Sequence, residues 1–335
     1  MKLKYSFTPA IVWILAGIVV SLIAVDSAQA QLPANVVSEA RSLASTRVEA
    51  FDILGGDYGL SGGSYKSTSQ NVDLKASKFG GMGDIGIGEI GGPAPLGNTG
   101  IAWQPRLQGS MGSLSTEKKF GNANPLIKGD KNKYDTFAIQ FGGGARFWLN
   151  DSFSIAPTIM GMYGYTANSY TANSAFGKAN LAAARAAGVV DWDINTWTIR
   201  PATELAYIYT WRRTIFTLSS SGTYYHTESF NSTNPNLTIN GNSEIWQNKI
   251  DVDVPLGVQL FNHELRTGGY FSRSDFYGDL DTGLNTEHVY EAHGRVVLDF
   301  LGQLWKCQWI GLGYSYLWGS NFTGVTYGVD VAFRF

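Results

Sequence analysis

Seven of the last thirteen residues are apolar or aromatic apart from one Thr, and they fall on every second position. Thr323, Val325, Tyr327, Val329, Val331, Phe333 and Phe335 alternate with Gly324, Thr326, Gly328, Asp330, Ala332 and Arg334. Successive side chains of a β-strand point to opposite faces, so this spacing gives a strand with one apolar face and one small or charged face. A single such strand would suit a soluble sandwich. Repetition of the pattern narrows the choice.

The pattern recurs along most of the chain. Phe137, Ile139 and Phe141 oppose Thr136, Gln140 and Gly142, and Ile155, Ile159 and Tyr163 oppose Ser154, Thr158 and Gly164. Trp197, Ile199, Leu205 and Tyr207 oppose Thr196, Thr198, Arg200 and Glu204. Similar runs cover Trp246 to Leu260, Tyr290 to Phe300 and Ile310 to Tyr316. Each run has the 9–11 residues that a tilted strand needs to cross a bilayer, or more. Trp148, Tyr163, Tyr165, Trp197, Tyr207, Tyr209, Trp211, Trp246, Tyr316 and Trp318 gather near run ends, where the aromatic girdles of a membrane barrel lie. In lipid every strand edge must be paired, so such a sheet has to close. The expected fold class is all-β, a closed antiparallel transmembrane barrel of about twelve strands.

The amino terminus carries an address. Lys2 and Lys4 precede an apolar run from Ile11 to Val25, and Ala28-Gln29-Ala30 makes a small-residue cleavage site. These are the three parts of a signal peptide. The expected division is therefore 1–30 signal peptide, 31–52 helical segment and 53–335 barrel. Only 16% of residues are charged and the net charge is −2, which argues against a nucleic-acid binder. The lone Cys307 excludes an intramolecular disulfide and any Cys-rich metal site.

The connections alternate in length. Residues 150–152, 211–213 and 261–264 are tight, whereas 171–191, 229–242 and 278–286 are long and polar. Short periplasmic turns and long outer loops give this alternation. Counting back from Phe335 gives ten clear strands, the first over 101–115, with two weaker ones over 54–65 and 68–79. An even count predicts both termini on the periplasmic side. The Gly-rich stretch 80–100 is the least readable. Before the barrel, Val36, Ala40, Leu43, Ala44, Val48 and Phe51 recur at helical spacing. Asn35 is the expected N-cap and Gly55-Gly56 the expected stop. Such a helix is about 24 Å long, close to the roughly 25 Å apolar band of a barrel, and it would fit the lumen.

A leading helix, a Gly- and aromatic-rich barrel and a terminal Val331-Ala332-Phe333-Arg334-Phe335 resemble the translocator domain of an autotransporter. With no passenger between the cleavage site and the helix, the chain resembles the solitary autotransporter-like barrels. The resemblance implies an outer-membrane address and a terminal strand read by the barrel-assembly machinery, here Tyr327, Val329, Val331, Phe333 and Phe335. It also implies contact with outer-membrane lipid and lipopolysaccharide, and no cofactor. The expected state is a monomer with no nucleic-acid partner.

Parity assigns a lumen-lining set: Arg106, Arg146, Arg200, Glu204, Lys249, Asp251, Asp253, Glu291, Arg295, Asp299 and Asp330. Their mixed signs predict ion-pair networks in the wall rather than a selectivity ring. Glu39, Arg41, Arg47 and Glu49 of the helix are candidates to join them. The expected role is a small or helix-plugged pore, or a structural surface protein. Adhesion through the long loops is the alternative. A hydrolase is the second alternative, with His226 and Ser229, or the Asp251–Asp253 pair, as its candidates. The first lacks the His-x-Ser spacing of outer-membrane lipases, the second lies mid-strand where a bulky substrate could hardly reach, and His263, His288 and His293 do not cluster with metal-ligand spacing.

Overall fold

The computed structural model describes residues 34–56, 63–67, 72–84, 94–95, 97, 100–120, 125–304 and 307–333. The expected signal peptide, its expected cleavage site and Phe335 lie outside the described residues. Helix α1 spans Ala34–Gly56. Strands β1 (Gly63–Ser67), β2 (Val72–Asp84) and the two-residue β3 (Ala94–Pro95) follow. Long strands β4 (Ala102–Lys119), β5 (Lys131–Trp148), β6 (Phe153–Thr171), β7 (Asp193–Trp211) and β8 (Thr214–Ser232) come next. The last are β9 (Asn240–Leu260), β10 (His263–Gly278), β11 (His288–Leu304), β12 (Cys307–Gly319) and β13 (Phe322–Phe333). No described helix is long and apolar enough to cross a membrane.

From β4 to β13 each strand pairs antiparallel with the next. Strand β2 pairs with both β1 and β4, and β1 pairs with β13, Gly63 opposite Thr326 and Ser67 opposite Phe322. The succession of neighbours thus returns to its start, with β3 beside the first residues of β4.

The wall is inside out by the standard of a soluble protein. Along β5, Phe137, Ile139 and Phe141 are exposed while Thr136, Ala138 and Gln140 are buried. Phe141 is 68% exposed and Leu312 70%. Burying such side chains relative to water is worth about 1.5–3 kcal/mol each, so a sheet with this outer surface requires an apolar surround. Trp148 departs from its expected girdle position. It shares the inner face with Arg146 and donates its indole N–H to Gln104 at 2.9 Å.

Turns fix the register. Phe261 and Asn262 both take positive φ, the twist a two-residue hairpin needs. Where β9 meets β10, Leu265 faces Val258 but Arg266 faces Pro255. Gly257 takes φ +69° within this bulge, a conformation that favours glycine.

Two of the long polar connections contain helices that the sequence reading left as loops. Helix α2 (Ala175–Ala186) is capped by Ser174, whose hydroxyl accepts from the Gly177 N–H at 2.8 Å. Helix α3 (Asp279–Leu284) buries Leu280 and Leu284. One polar side chain fixes the α2 loop. The buried carboxylate of Asp130 accepts from the Asn173 and Ser174 amides at 2.7 and 2.6 Å, and from the Tyr170 and Ser174 hydroxyls at 2.7 and 2.8 Å.

The amino-terminal elements also depart from expectation. Helix α1 has 23 residues. Asn35 lies inside it rather than capping it, and Gly55-Gly56 are its last residues. Ile53 and Leu54 are buried, and their packing extends the helix past Asp52. Residue 54 is therefore helical, the first strand begins at Gly63, and the second runs to Asp84 through part of the Gly-rich stretch.

Candidate functional site: a helix-filled lumen

Helix α1 enters from the long-loop end. The Arg41 guanidinium donates to the Ala187 carbonyl, in the connection between β6 and β7, at 2.6 and 3.2 Å. The start of the helix therefore lies at the end opposite to the periplasmic one predicted by an even strand count. The expected first strand, 54–65, is helical at its start and begins only at Gly63, and the helix lies in the lumen before that strand begins.

The lumen is divided by height. Toward the long loops, Ala44, Val48, Phe51, Ile53 and Leu54 of α1 pack into one core with Leu114, Tyr134, Met162, Ile194, Tyr225, Ile245 and Leu317 of the wall and Leu280 of α3. The Phe51 and Tyr134 rings meet edge to face at 5.5 Å. Two carboxyl groups on α1 sit within this core. Asp52, with no exposed surface, accepts from Thr196 at 2.5 Å and Thr166 at 3.3 Å. Glu49 accepts from Ser243 at 2.7 Å. Small wall residues make the room: a Cβ on Gly164 would collide with the Asp52 carboxyl and the Thr196 hydroxyl.

Toward the short turns the inner face is charged. Glu204 accepts from Arg146 at 2.8 Å and lies 3.6 Å from Arg106. Arg295 grips Asp251 through two nitrogens at 2.8 and 2.9 Å. Arg266, on the same inward parity of β10 as Ser272 and Ser274 but outside the runs whose alternation was read, binds Asp253 at 2.7 and 3.0 Å. Arg200 donates to Gln108 at 3.2 Å. Lys249 lies 5.4 Å over the Tyr270 ring, and Tyr270 donates to Glu291 at 2.8 Å. Asp299 of β11 pairs through its backbone with Glu264 of β10. Asp330 pairs through its backbone with Gly311.

The expected link between helix and wall charges takes a different form. Arg41 bonds a loop carbonyl, and Glu49 and Asp52 bond hydroxyls. Asp52 and the Thr pair that holds it were not among the candidates. Their signal lay in the sequence as a carboxylate on the apolar stripe of the helix.

The hydrolase candidates are not brought together. His226 faces outward and contacts Asn242 at 2.9 Å and Glu228 at 3.2 Å. Ser229 accepts from the Ile239 N–H at 2.9 Å instead. Asp251 and Asp253 are each taken by an arginine. No group of three or more His, Cys, Asp or Glu able to hold a metal occurs among the described residues. The proposed assembly signal lies on β13. Tyr327 and Val329 face outward and are exposed, and Val331 and Phe333 pair with β12.

An outward apolar wall, a luminal helix and long loops at one end define an outer-membrane β-barrel of the autotransporter type. Residues 94–327 match the family described as the solitary outer membrane autotransporter beta-barrel domain, and the chain belongs to that family. A comparison with curated proteins gives no match. Among solved structures, the transport unit of the autotransporter AIDA-I from Escherichia coli is similar, with a TM-score of 0.54 and 9% identity over 88% of this chain and 99% of that one. The β domain of the Bordetella autotransporter BrkA has a TM-score of 0.51 and 10% identity, over 82% and 95% of the two chains. The translocator domain of NalP from Neisseria meningitidis has a TM-score of 0.51 and 11% identity, over 82% and 85%.

Proposed function

We propose that this barrel is held closed by its own helix. Exported after cleavage near Ala30, it sits in the outer membrane as a monomer with its long loops outside. Assembly reads the terminal strand through Tyr327, Val329, Val331, Phe333 and Phe335. Helix α1 plugs the outer half of the lumen, and the charged inner half is a vestibule open toward the periplasm. The protein is a plugged pore or structural surface protein, not an open porin and not an enzyme.

The observation that carries this reading is the burial of Val48, Phe51, Asp52, Ile53 and Leu54 against the wall. Paired lumen charges favour wall stiffness over ion selection, because each Arg–carboxylate pair cancels its own field. The test is planar-bilayer conductance of chain 31–335, intact and with residues 31–56 removed. The intact chain should be silent and the shortened one should hold a steady open level. Steady conductance from the intact chain would overturn the plug.

A second reading has one observation in its favour. The α2 loop is pre-ordered by Asp130 and the Ser174 cap, as a recognition surface needs to be. Removing residues 173–188 should then reduce cell attachment.

A further inference from the structure

We propose that Glu49 of α1 and Asp279 of α3 share one proton, and that this proton latches the helix in the lumen, holding it in acid and loosening it as the outside turns alkaline. Glu49 is 1% exposed. Its Oε1 accepts from the Ser243 hydroxyl at 2.7 Å, and the Ser243 oxygen accepts in turn from the Leu280 N–H at 2.9 Å. The other oxygen, Oε2, is buried and has no hydrogen-bond donor among the described residues. It lies within hydrogen-bond reach of the Asp279 carboxyl. The Asn242 N–H fixes Asp279 there, donating to Oδ2 at 3.0 Å. Gly241 makes the room: a Cβ on it would collide with Glu49 Oε2 and lie 2.7 Å from Asp279 Oδ2.

Two carboxylates are acceptors only and cannot bond each other. Placed together they also repel, and one of them holds a proton well above its ordinary range. A single proton between them gives Oε2 its partner and leaves the pair one charge. The charges acting on Glu49 from the described residues are Asp279 and Asp52, both acidic. Asp52 is turned to Thr166 and Thr196. Of the other charges on α1, Glu39 is exposed, Arg41 bonds the Ala187 carbonyl and Arg47 lies near Lys118 of β4. The inward residues of β9 beside Glu49 are Gly241, Ser243 and Ile245, and on α3 Asp281 is set against Glu287. A divalent cation suits the site less well. Calcium takes roughly six to eight oxygens, and two carboxyl groups converge here.

The pair has a route to water. Asp279 lines an outward cavity of about 660 Å³, with Ser45 and Thr46 of α1 and with Asn236 and Asn240. Glu49 meets the wall at the long-loop rim, beside the first four residues of β9. Burial first, and then Asp279, outweigh the Ser243 hydroxyl and raise its pKa to about 8. On a released helix it returns to about 4.3. The proton therefore supports the seat fully below a pH of about 4.3, and that support is lost as pH rises to about 8.

The test is amide exchange of residues 43–54 in chain 31–335, folded in micelles and verified by heat-modifiable gel mobility, with protection corrected for the intrinsic rate at each pH. Wild-type protection should fall by up to about tenfold per pH unit through this window. Glu49→Gln keeps a donor for Asp279 and an acceptor for Ser243, so its fall should be shallower and its protection at alkaline pH more than about tenfold above wild type. Asp52→Asn should keep the Glu49-dependent fall. The infrared carbonyl band of a protonated carboxyl group should be present in wild type at neutral pH and weaker in Glu49→Gln. The same pH dependence in wild type and folded Glu49→Gln would overturn the proposal, as would an unchanged carbonyl band. Alkaline protection restored by added calcium or magnesium would also overturn it, in favour of a cation. The inference rests on α1 being seated as in the plug reading. A barrel that conducts at every pH while α1 keeps its pH-dependent protection would overturn the plug and leave the latch.

Discussion

The Thr196 hydroxyl, on the inner face of β7, donates to the Asp52 carboxylate of α1 at 2.5 Å, inside a core that is largely apolar. The contact joins helix and wall across 144 residues of sequence. It sets the height at which the helix rests, because a one-turn shift would strand a carboxyl group among Leu and Phe. Asp52→Ala removes the acceptor and leaves the hydroxyls of Thr166 and Thr196 to find others. A hydrogen bond to a charged group is worth about 1.5–3 kcal/mol. The open fraction in single-channel records should therefore rise roughly ten- to hundredfold. Asp52→Asn keeps one acceptor of the two and should raise the open fraction less than Asp52→Ala.

The seat of α1 on α3 depends on one missing side chain. A Cβ at Gly283 would lie 2.5 Å from the Thr46 carbonyl oxygen and 2.9 Å from the Ala50 Cβ. Both obstacles belong to helix α1, so neither gives way cheaply. Gly283→Val should push α1 off its seat. The expected readout is conductance from the intact-length chain, with the gel mobility of the folded barrel unchanged.

In the vestibule, Glu204 serves two arginines. Glu204→Gln takes from Arg106 and Arg146 the carboxylate they share. Removing one partner of a buried pair costs about 3–5 kcal/mol, and Glu204 is partly solvated, so about 2 kcal/mol is expected. The temperature at which the folded band converts to the unfolded one should fall. Adding Arg146→Gln should restore part of it.

The α2 loop should be acid-sensitive. Burial by itself would raise the Asp130 pKa, but hydrogen bonds from Ser174, Tyr170 and Asn173 outweigh it and hold the carboxyl below its usual range. A depressed folded pKa adds stability above the unfolded value of about 3.9, and that contribution is lost as pH falls through the folded pKa. Amide exchange over residues 172–187 should stay slow at neutral pH and quicken below about pH 4. Asp130→Asn should exchange faster at neutral pH and lose most of this pH dependence.

The long strands were legible because period two is local: Phe137 to Phe141 or Val325 to Val331 declare both faces without reference to any partner. The inner charges were legible for the same reason wherever the apolar face declared itself, and Arg266 was lost because β10 opens on a run, Glu264 to Gly269, with little apolar alternation to mark its faces. Helices α2 and α3 were hidden because their support is distant. Asp130 lies more than forty residues before the α2 turn it fixes, and the buried Leu280 and Leu284 of α3 look like a loop until α1 is beside them. The direction of α1 was likewise unreadable, since apolar spacing gives a helix its face but not its heading. Trp148 shows that an aromatic near a strand end need not face lipid when a glutamine stands opposite.

The inverted wall also determines how the sequence can drift. Outward positions such as Ile139, Ile159 and Leu312 need only remain greasy, and one hydrocarbon side chain should serve there as well as another. One residue away, positions such as Gly164, Thr166 and Thr196 are matched to the contour of a single helix. Substitutions there must be answered by changes at Glu49, Asp52 or their neighbours. Homologues should therefore diverge in a comb, freely exchanging hydrocarbon at alternate positions while the intervening ones change in step with a segment more than a hundred residues away.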